Sequence, residues 1–372
     1  MKILFLTSSE QDYLSDCLLL GLRRIYGPQL VDYPRRDILY RDCPEFMRCQ
    51  VRGHGFTLYT GLLEEIPIDR YGVGEKLVQG EYDLVIISDI WRQFGFFSQW
   101  RPYLHPENTI IVDGSDTDQV YPHAGYWWRR PRSWFLPAAN EGFLYFKREL
   151  TSASRFNLWH RVVPQFYRKW LPHYEGLRRI SFGIPPEKIV ETRPNKTKNF
   201  SRHIVDREIA KLVPGSSTDY AFDSEADYYA DLQTSRFGVT TRRAGWDCLR
   251  HYEIAANGAV PCFRDLPSKP ADCAPHDLIP GENCLTYRDA GDLMAQIEAM
   301  LETHYDELQR GAIAWARAKS CTNLSREMIG EWQNYRGFGQ KALASETCAP
   351  VSVAGAFHSE GNRPPEGRNL FP

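Results

Sequence analysis

Two short segments of this chain, Tyr82-Asp-Leu-Val-Ile-Ile-Ser88 and Thr109-Ile-Ile-Val112, are apolar at almost every position. A strand with one wet face alternates polar and apolar residues. A run without alternation suits a parallel strand covered by helices on both faces. Lys2–Leu6, Phe56–Tyr59, Phe143–Phe146 and Arg179–Phe182 read as further strands. After the first of these, Leu14, Cys17, Leu18, Leu20, Leu22 and Ile25 fall at helical spacing, and Gly27-Pro28 stops the helix. Strands separated by helices predict an open, doubly wound α/β domain.

The pattern breaks at Gly183-Ile-Pro-Pro186 and Arg193-Pro-Asn-Lys-Thr-Lys198, polar and proline-bearing, and then resumes. Helices are expected over about 226–234, 247–256, 290–303, 305–319 and 322–335, with strands over about 236–241 and 259–263. The 372 residues thus divide into units over 1–182 and 183–342, followed by a Ser/Gly/Pro-rich stretch, 343–372, that reads as a flexible tail.

Composition removes several classes of function. With 10 Trp, 20 Tyr and 19 Phe the chain has ample material for packed cores. Its 45 basic residues nearly balance 47 acidic ones, unlike a general nucleic-acid coat. No apolar run approaches the roughly 20 residues of a membrane helix, and the apolar opening Met1–Leu6 is too short for a signal-peptide core. The nine cysteines show no CxxC and no zinc-like spacing, which suits reduced thiols in the cytoplasm. There is no P-loop, HExxH or GxSxG.

The chemistry concentrates between Tyr228 and Asp265. A strand at Phe237–Thr240 leads into Arg242-Arg243-Ala-Gly245, and a helix opens near Trp246-Asp247. A helix N-terminus presents unpaired N–H groups and partial positive charge, so it attracts phosphate. Gly245 lets a backbone come close, and the arginines add forked donors. Asp247, Arg250 and Glu253 follow at i, i+3 and i+6, and a carboxylate one to two turns on can accept from ribose hydroxyls. A surface Arg250–Glu253 ion pair and a plain turn at Gly245 are the competing readings.

The pattern Tyr229-x-x-Leu-x-x-Ser-x-Phe-Gly238, then Arg243-x-Gly-Trp-Asp-x-x-Arg-x-x-Glu253-x-x-x-x-Gly-Ala-Val-Pro261, resembles the donor-binding half of GT-B glycosyltransferases, nearest to the exostosin-like and related bacterial sugar transferases. The resemblance is specific over about 40 residues. It implies two Rossmann-like domains facing a central cleft, the first for the acceptor and the second for a nucleoside-diphosphate sugar, with the last helix packing back across the hinge. It further implies a donor site of Arg242, Arg243, Gly245, Trp246, Asp247, Arg250 and Glu253, with Glu253 on the ribose and Arg250 near the diphosphate. Many retaining members carry two glutamates eight positions apart. Gly245 stands eight before Glu253, which leans toward an inverting, metal-independent transfer without a cofactor.

The base is then expected from the first unit: Asp113 or Asp116 after the strand at 109–112, or Glu10 in the loop Ser8–Asp12. His123 and His203 are alternatives. Asp116 and Asp118 also form an Asp-x-Asp that resembles the metal site of GT-A enzymes, so a metal-dependent transfer stays open. Tyr121–Phe135 mixes aromatic and basic residues, and its Trp127, Trp128 and Arg130 are candidates for binding a carbohydrate or other hydroxyl acceptor. The same stretch leaves open a peripheral membrane contact or a modified-DNA acceptor. A non-catalytic glycan- or nucleotide-binding module is the remaining alternative.

Overall fold

A computed structural model describes residues 1–48, 51, 58–121, 142–155, 164–168, 176–219 and 221–346. The first unit is built on a six-stranded, all-parallel sheet: β1 (Ile3–Leu6), β2 (Leu30–Tyr33), β3 (Leu84–Ile87), β4 (Thr109–Asp113), β5 (Leu144–Lys147) and β6 (Leu177–Arg179), in the order β2-β1-β3-β4-β5-β6. The strand order reverses between β1 and β3. In such sheets the loops leaving the strand ends at that point diverge and open a crevice. Residues 7–12 and Asp89 lie there.

A second all-parallel sheet has the order β10-β9-β8-β7, from β7 (Lys198–Phe200), β8 (Ser235–Thr240), β9 (Val260–Arg264) and β10 (Leu285–Tyr287). Numbering only helices of eight residues or more, α1 is Tyr13–Tyr26, α2 Ile90–Trp100, α3 Glu225–Thr234, α4 Leu249–Ala256, α5 Ala290–Glu298, α6 Glu302–Ala318 and α7 Cys321–Glu346. Among the described residues no helix is long and apolar enough to cross a membrane.

The unbroken apolar runs are buried strands, as expected: β3 and β4 are covered along their whole length. Two expectations need correction. Leu58 and Tyr59 belong to a turn, not a strand. Their apolar character serves packing, and the Tyr59 hydroxyl donates to the Gly183 carbonyl at 2.7 Å. The strand expected over Arg179–Phe182 ends at Arg179, and Ile180 and Phe182 are buried as part of the crossing between units. The last helix also continues to Glu346, past the expected start of the tail; residues 347–372 lie outside the described set.

The chain crosses between units twice, side by side. Ile184 N–H donates to the Lys319 carbonyl at 3.0 Å, and Cys321 N–H donates to the Ile184 carbonyl at 2.9 Å. From there α7 returns across the first sheet and packs along α1. Trp332 Nε1 donates to the Glu107 carbonyl at 3.0 Å and the Tyr335 hydroxyl to the Gly142 carbonyl at 3.1 Å. The approach of α7 to α1 depends on Gly21, where a Cβ would lie 2.1 Å from the Cys321 carbonyl oxygen. Gly21→Ala is therefore expected to destabilise the protein by about 2 kcal/mol through overpacking, read as a lower midpoint in urea unfolding.

Candidate functional site

The loops at the ends of both sheets meet around a cavity of about 410 Å³. That size suits a ligand of several hundred daltons. From the first unit come Tyr13, Leu58 and Asp116, with Phe182 at the crossing. From the second come His203, Ala221, Phe222, Tyr228, the stretch 243–245, and 247–250 with Glu253.

The wall of the second unit is made by the loop after β8 and by α4. Cys248 caps α4 in an extended conformation, its Sγ accepting from Arg250 Nη1 at 3.8 Å and from no N–H of the helix, and Cys248, Leu249 and Arg250 bring the helix N-terminus to the cavity beside Arg243. Glu253 is one turn further on. Burial pushes its carboxyl up to about 7, Glu225 on α3 adds to the shift, and Arg250 and Lys188 oppose it. The Tyr229 hydroxyl donates to it at 3.5 Å, and Phe222 and Tyr228, 5.5 Å apart, add an aromatic side. Burial lowers the His203 pKa, Arg250 adds to this, and its Nδ1 faces the Asp219 carbonyl at 2.8 Å.

Four expected donor residues have contacts of other kinds. Arg242 lies outside the cavity, over the Trp246 ring at 5.0 Å, and Trp246 is buried against Phe263. Asp247 precedes α4, so helical periodicity does not aim it. Its Oδ2 accepts from Phe182 N–H and its Oδ1 from the Tyr252 hydroxyl, both at 2.8 Å, and burial pushes its carboxyl up to about 6. Gly245 lines the cavity, but the space beside its α-carbon belongs to the first unit. A Cβ there would sit 2.4 Å from Glu149 Oε1 and 3.0 Å from Asp116 Oδ1.

The acidic candidates of the first unit separate as well. Asp113 is fully buried: its Oδ1 accepts from Trp91 Nε1 at 2.9 Å, Ser115 N–H at 3.0 Å and Lys147 Nζ at 3.0 Å, and its Oδ2 from the Tyr145 hydroxyl at 2.6 Å. It holds β4 to β5 and has no face toward a substrate. Glu10 points into solvent, paired with Arg92 at 2.9 Å. Asp116 does reach the cavity, half exposed and bound to the Arg148 guanidinium. Asp118 turns instead to Thr151, and among the described residues no group of three His, Cys, Asp or Glu could hold a metal ion. Trp127, Trp128, Arg130 and His123, with most of the 121–135 stretch, lie outside the described residues.

Asp12 lies in the same loop, two residues beyond Glu10. It caps α1 by accepting from Ser15 N–H at 2.8 Å. Burial and then Asp89 push its carboxyl up to about 7. It faces Gly114, where a Cβ would lie 3.3 Å from Asp12 Oδ2, and its neighbour Tyr13 lines the cavity. Sequence reasoning missed the part played by Glu149. The only signal was a charged triplet, Lys147-Arg148-Glu149, following an apolar strand.

No protein-family model and no curated protein matches the sequence. Solved structures match the fold. The crystal structure of a glycosyltransferase from Rickettsia africae ESF-5 aligns over 90% of this chain and 98% of its own, at 9% identity and a TM-score of 0.50. Anabaena HepE in complex with UDP-glucose aligns over 90% of this chain and 100% of its own, at 13% identity and a TM-score of 0.48. At such identities the likeness is one of fold. The chain has the GT-B fold, two Rossmann-like units around a cleft.

The Asp113 geometry gives a test. Asp113→Asn leaves the Lys147 ammonium buried beside a neutral amide. It should lose about 3 kcal/mol of stability in urea unfolding and leave nucleotide affinity unchanged. A loss of affinity at unchanged stability would return Asp113 to the site.

Proposed function

We propose that this protein is a glycosyltransferase that moves a sugar from a nucleoside-diphosphate sugar to an acceptor hydroxyl, without a metal and with inversion at the anomeric carbon. The observation that carries the reading is a cavity in which the α4 N-terminus, Arg243, Arg250 and Glu253 face Tyr13, Leu58 and Asp116 of the other unit. The fold shared with the Rickettsia glycosyltransferase supports it.

The second unit would hold the donor. Ribose hydroxyls donate to Glu253, the base lies toward Phe222 and Tyr228, and the diphosphate sits at Arg243, Arg250 and the first turn of α4. As the bond from the anomeric carbon to the diphosphate oxygen breaks, its electron pair passes to the diphosphate. Fixed cations and helix N–H groups stabilise that charge, as a metal does elsewhere. The acceptor oxygen attacks from the opposite face, and its proton goes to a carboxylate of the first unit. Asp12 is the carboxylate assigned to that step: burial and Asp89 raise it to about 7 against the opposing charge of Arg92, and its neighbour Tyr13 lines the cavity. Position 245 carries no acid, which favours single displacement.

Calorimetry with UDP, GDP, TDP and CDP in EDTA should find one tight ligand. Glu253→Ala should weaken it at least tenfold. The carboxylate, not the acid, accepts from ribose, so affinity should rise through pH 7 and fall below it, and Glu253→Gln should flatten that dependence. Absence of any binding, or binding indifferent to Glu253, would remove the donor assignment.

The base has its own test. Asp12→Asn should lower kcat at least a hundredfold while nucleotide affinity holds. If Asp116→Asn gives that signature and Asp12→Asn does not, the base is Asp116.

A further inference from the structure

The cleft walls are joined by a feature that the proposed chemistry does not use. Arg148 follows β5 and is 1% exposed. Its Nε donates to the Gly114 carbonyl at 3.0 Å, Nη1 to Glu149 Oε1 and to the Asp247 carbonyl, each at 3.0 Å, and Nη2 to Asp116. The guanidinium lies 4.5 Å from the Phe182 ring centre. Glu149, also buried, completes the contact: its Oε1 accepts from Asp247 N–H at 3.1 Å and its Oε2 from the Cys273 thiol at 2.9 Å. Both backbone groups of Asp247 are thus taken by consecutive residues of the other unit. The Asp247 carboxylate returns the contact through Phe182 N–H, and Ala274 N–H donates to the Arg148 carbonyl at 3.1 Å.

We propose that Arg148 and Glu149 are positioning residues that clamp the Asp247 peptide, so that the first unit sets the geometry of the loop 243–247 and aims Asp116 into the cavity. Gly245 is the condition for the clamp, because Glu149 fills the volume that any side chain at 245 would need. Arg148 also balances Glu149 and Asp116, which would otherwise repel a diphosphate at the same loop. A lysine could not replace it, since one ammonium does not span Gly114, Asp116, Glu149 and Asp247 in a plane.

This inference rests on the proposed donor site for its binding readout and on none of it for its stability readout. The experiment is a double-mutant cycle of Gly245→Ala and Glu149→Ala in the full-length protein. Gly245→Ala should lower Tm by roughly 5 °C. It should also weaken binding of the diphosphate found in the calorimetric panel about tenfold. Adding Glu149→Ala should restore part of both, since it vacates the space, so the double variant should bind more tightly than Gly245→Ala alone. Additive losses would overturn the clamp. Should Glu149→Ala fail to fold, Gly245→Ala with Glu149→Ser supplies the same comparison. Arg148→Lys should raise the radius of gyration in X-ray scattering, as the units separate, and an unchanged radius would count against the clamp. If no nucleotide binds but the Tm cycle is non-additive, the donor site fails and the clamp stands.

Discussion

One buried guanidinium reconciles the charges of this cleft. Parallel strands deliver their carboxyl ends to one edge, and the loops there carry Asp12, Asp89, Asp113, Asp116 and Glu149 on one side and Asp247 on the other. Left alone, that edge would resist closure and any anionic ligand. Lys147 neutralises Asp113 inside the sheet, and Arg148 neutralises Asp116 and Glu149 at the boundary while binding two backbone carbonyls. The positive groups facing the cavity, Arg243 and Arg250, thereby keep their field for a ligand.

Burial acts alike on two carboxyls of this region that are far apart in the sequence. Asp12 and Glu253 belong to different units, each beside a second acid, Asp89 or Glu225, and both are pushed up to about 7 although Arg92 and Arg250 oppose the shifts. Asp116 is bound to the Arg148 guanidinium and has half its surface in solvent. In the transfer proposed above, one carboxylate accepts from a hydroxyl and a second deprotonates another, work that suits groups titrating near neutrality. Burial beside a like charge supplies this without any dedicated partner.

The sheets were legible where strands are long and unbroken, as at β3, β4 and β8. They were not legible at β2, whose Leu-Val-Asp-Tyr run hides a fully buried Asp32 bound by Arg23 and Arg70, nor at the three-residue strands β7 and β10. In the site, spacing placed Arg250 and Glu253 on α4 because both lie within a regular helix. Asp247, which lies before the helix begins, lines the cavity with its carboxylate engaged by Phe182 and Tyr252, while Trp246 and Arg242 pack on each other. Partners such as Glu149 and Asp247 are separated by about a hundred residues, and no local periodicity encodes that pairing.

Gly245 shows why this boundary matters. In the sequence, a glycine between two arginines and a helix start reads as room for a phosphate. In the structure, that room holds a carboxylate from the other unit, so in the proposed donor site a diphosphate sits beside the glycine, at Arg243, Arg250 and the opening turn of α4. The loop does not take its shape from its own sequence alone, because Arg148 and Glu149, which follow β5, hold both backbone groups of Asp247. A loop of the second unit whose backbone is held by the first couples the two halves of the cleft. Opening the hinge would release the Asp247 peptide, expose Arg148 and Glu149 to water, and unmake the donor loop in the same movement.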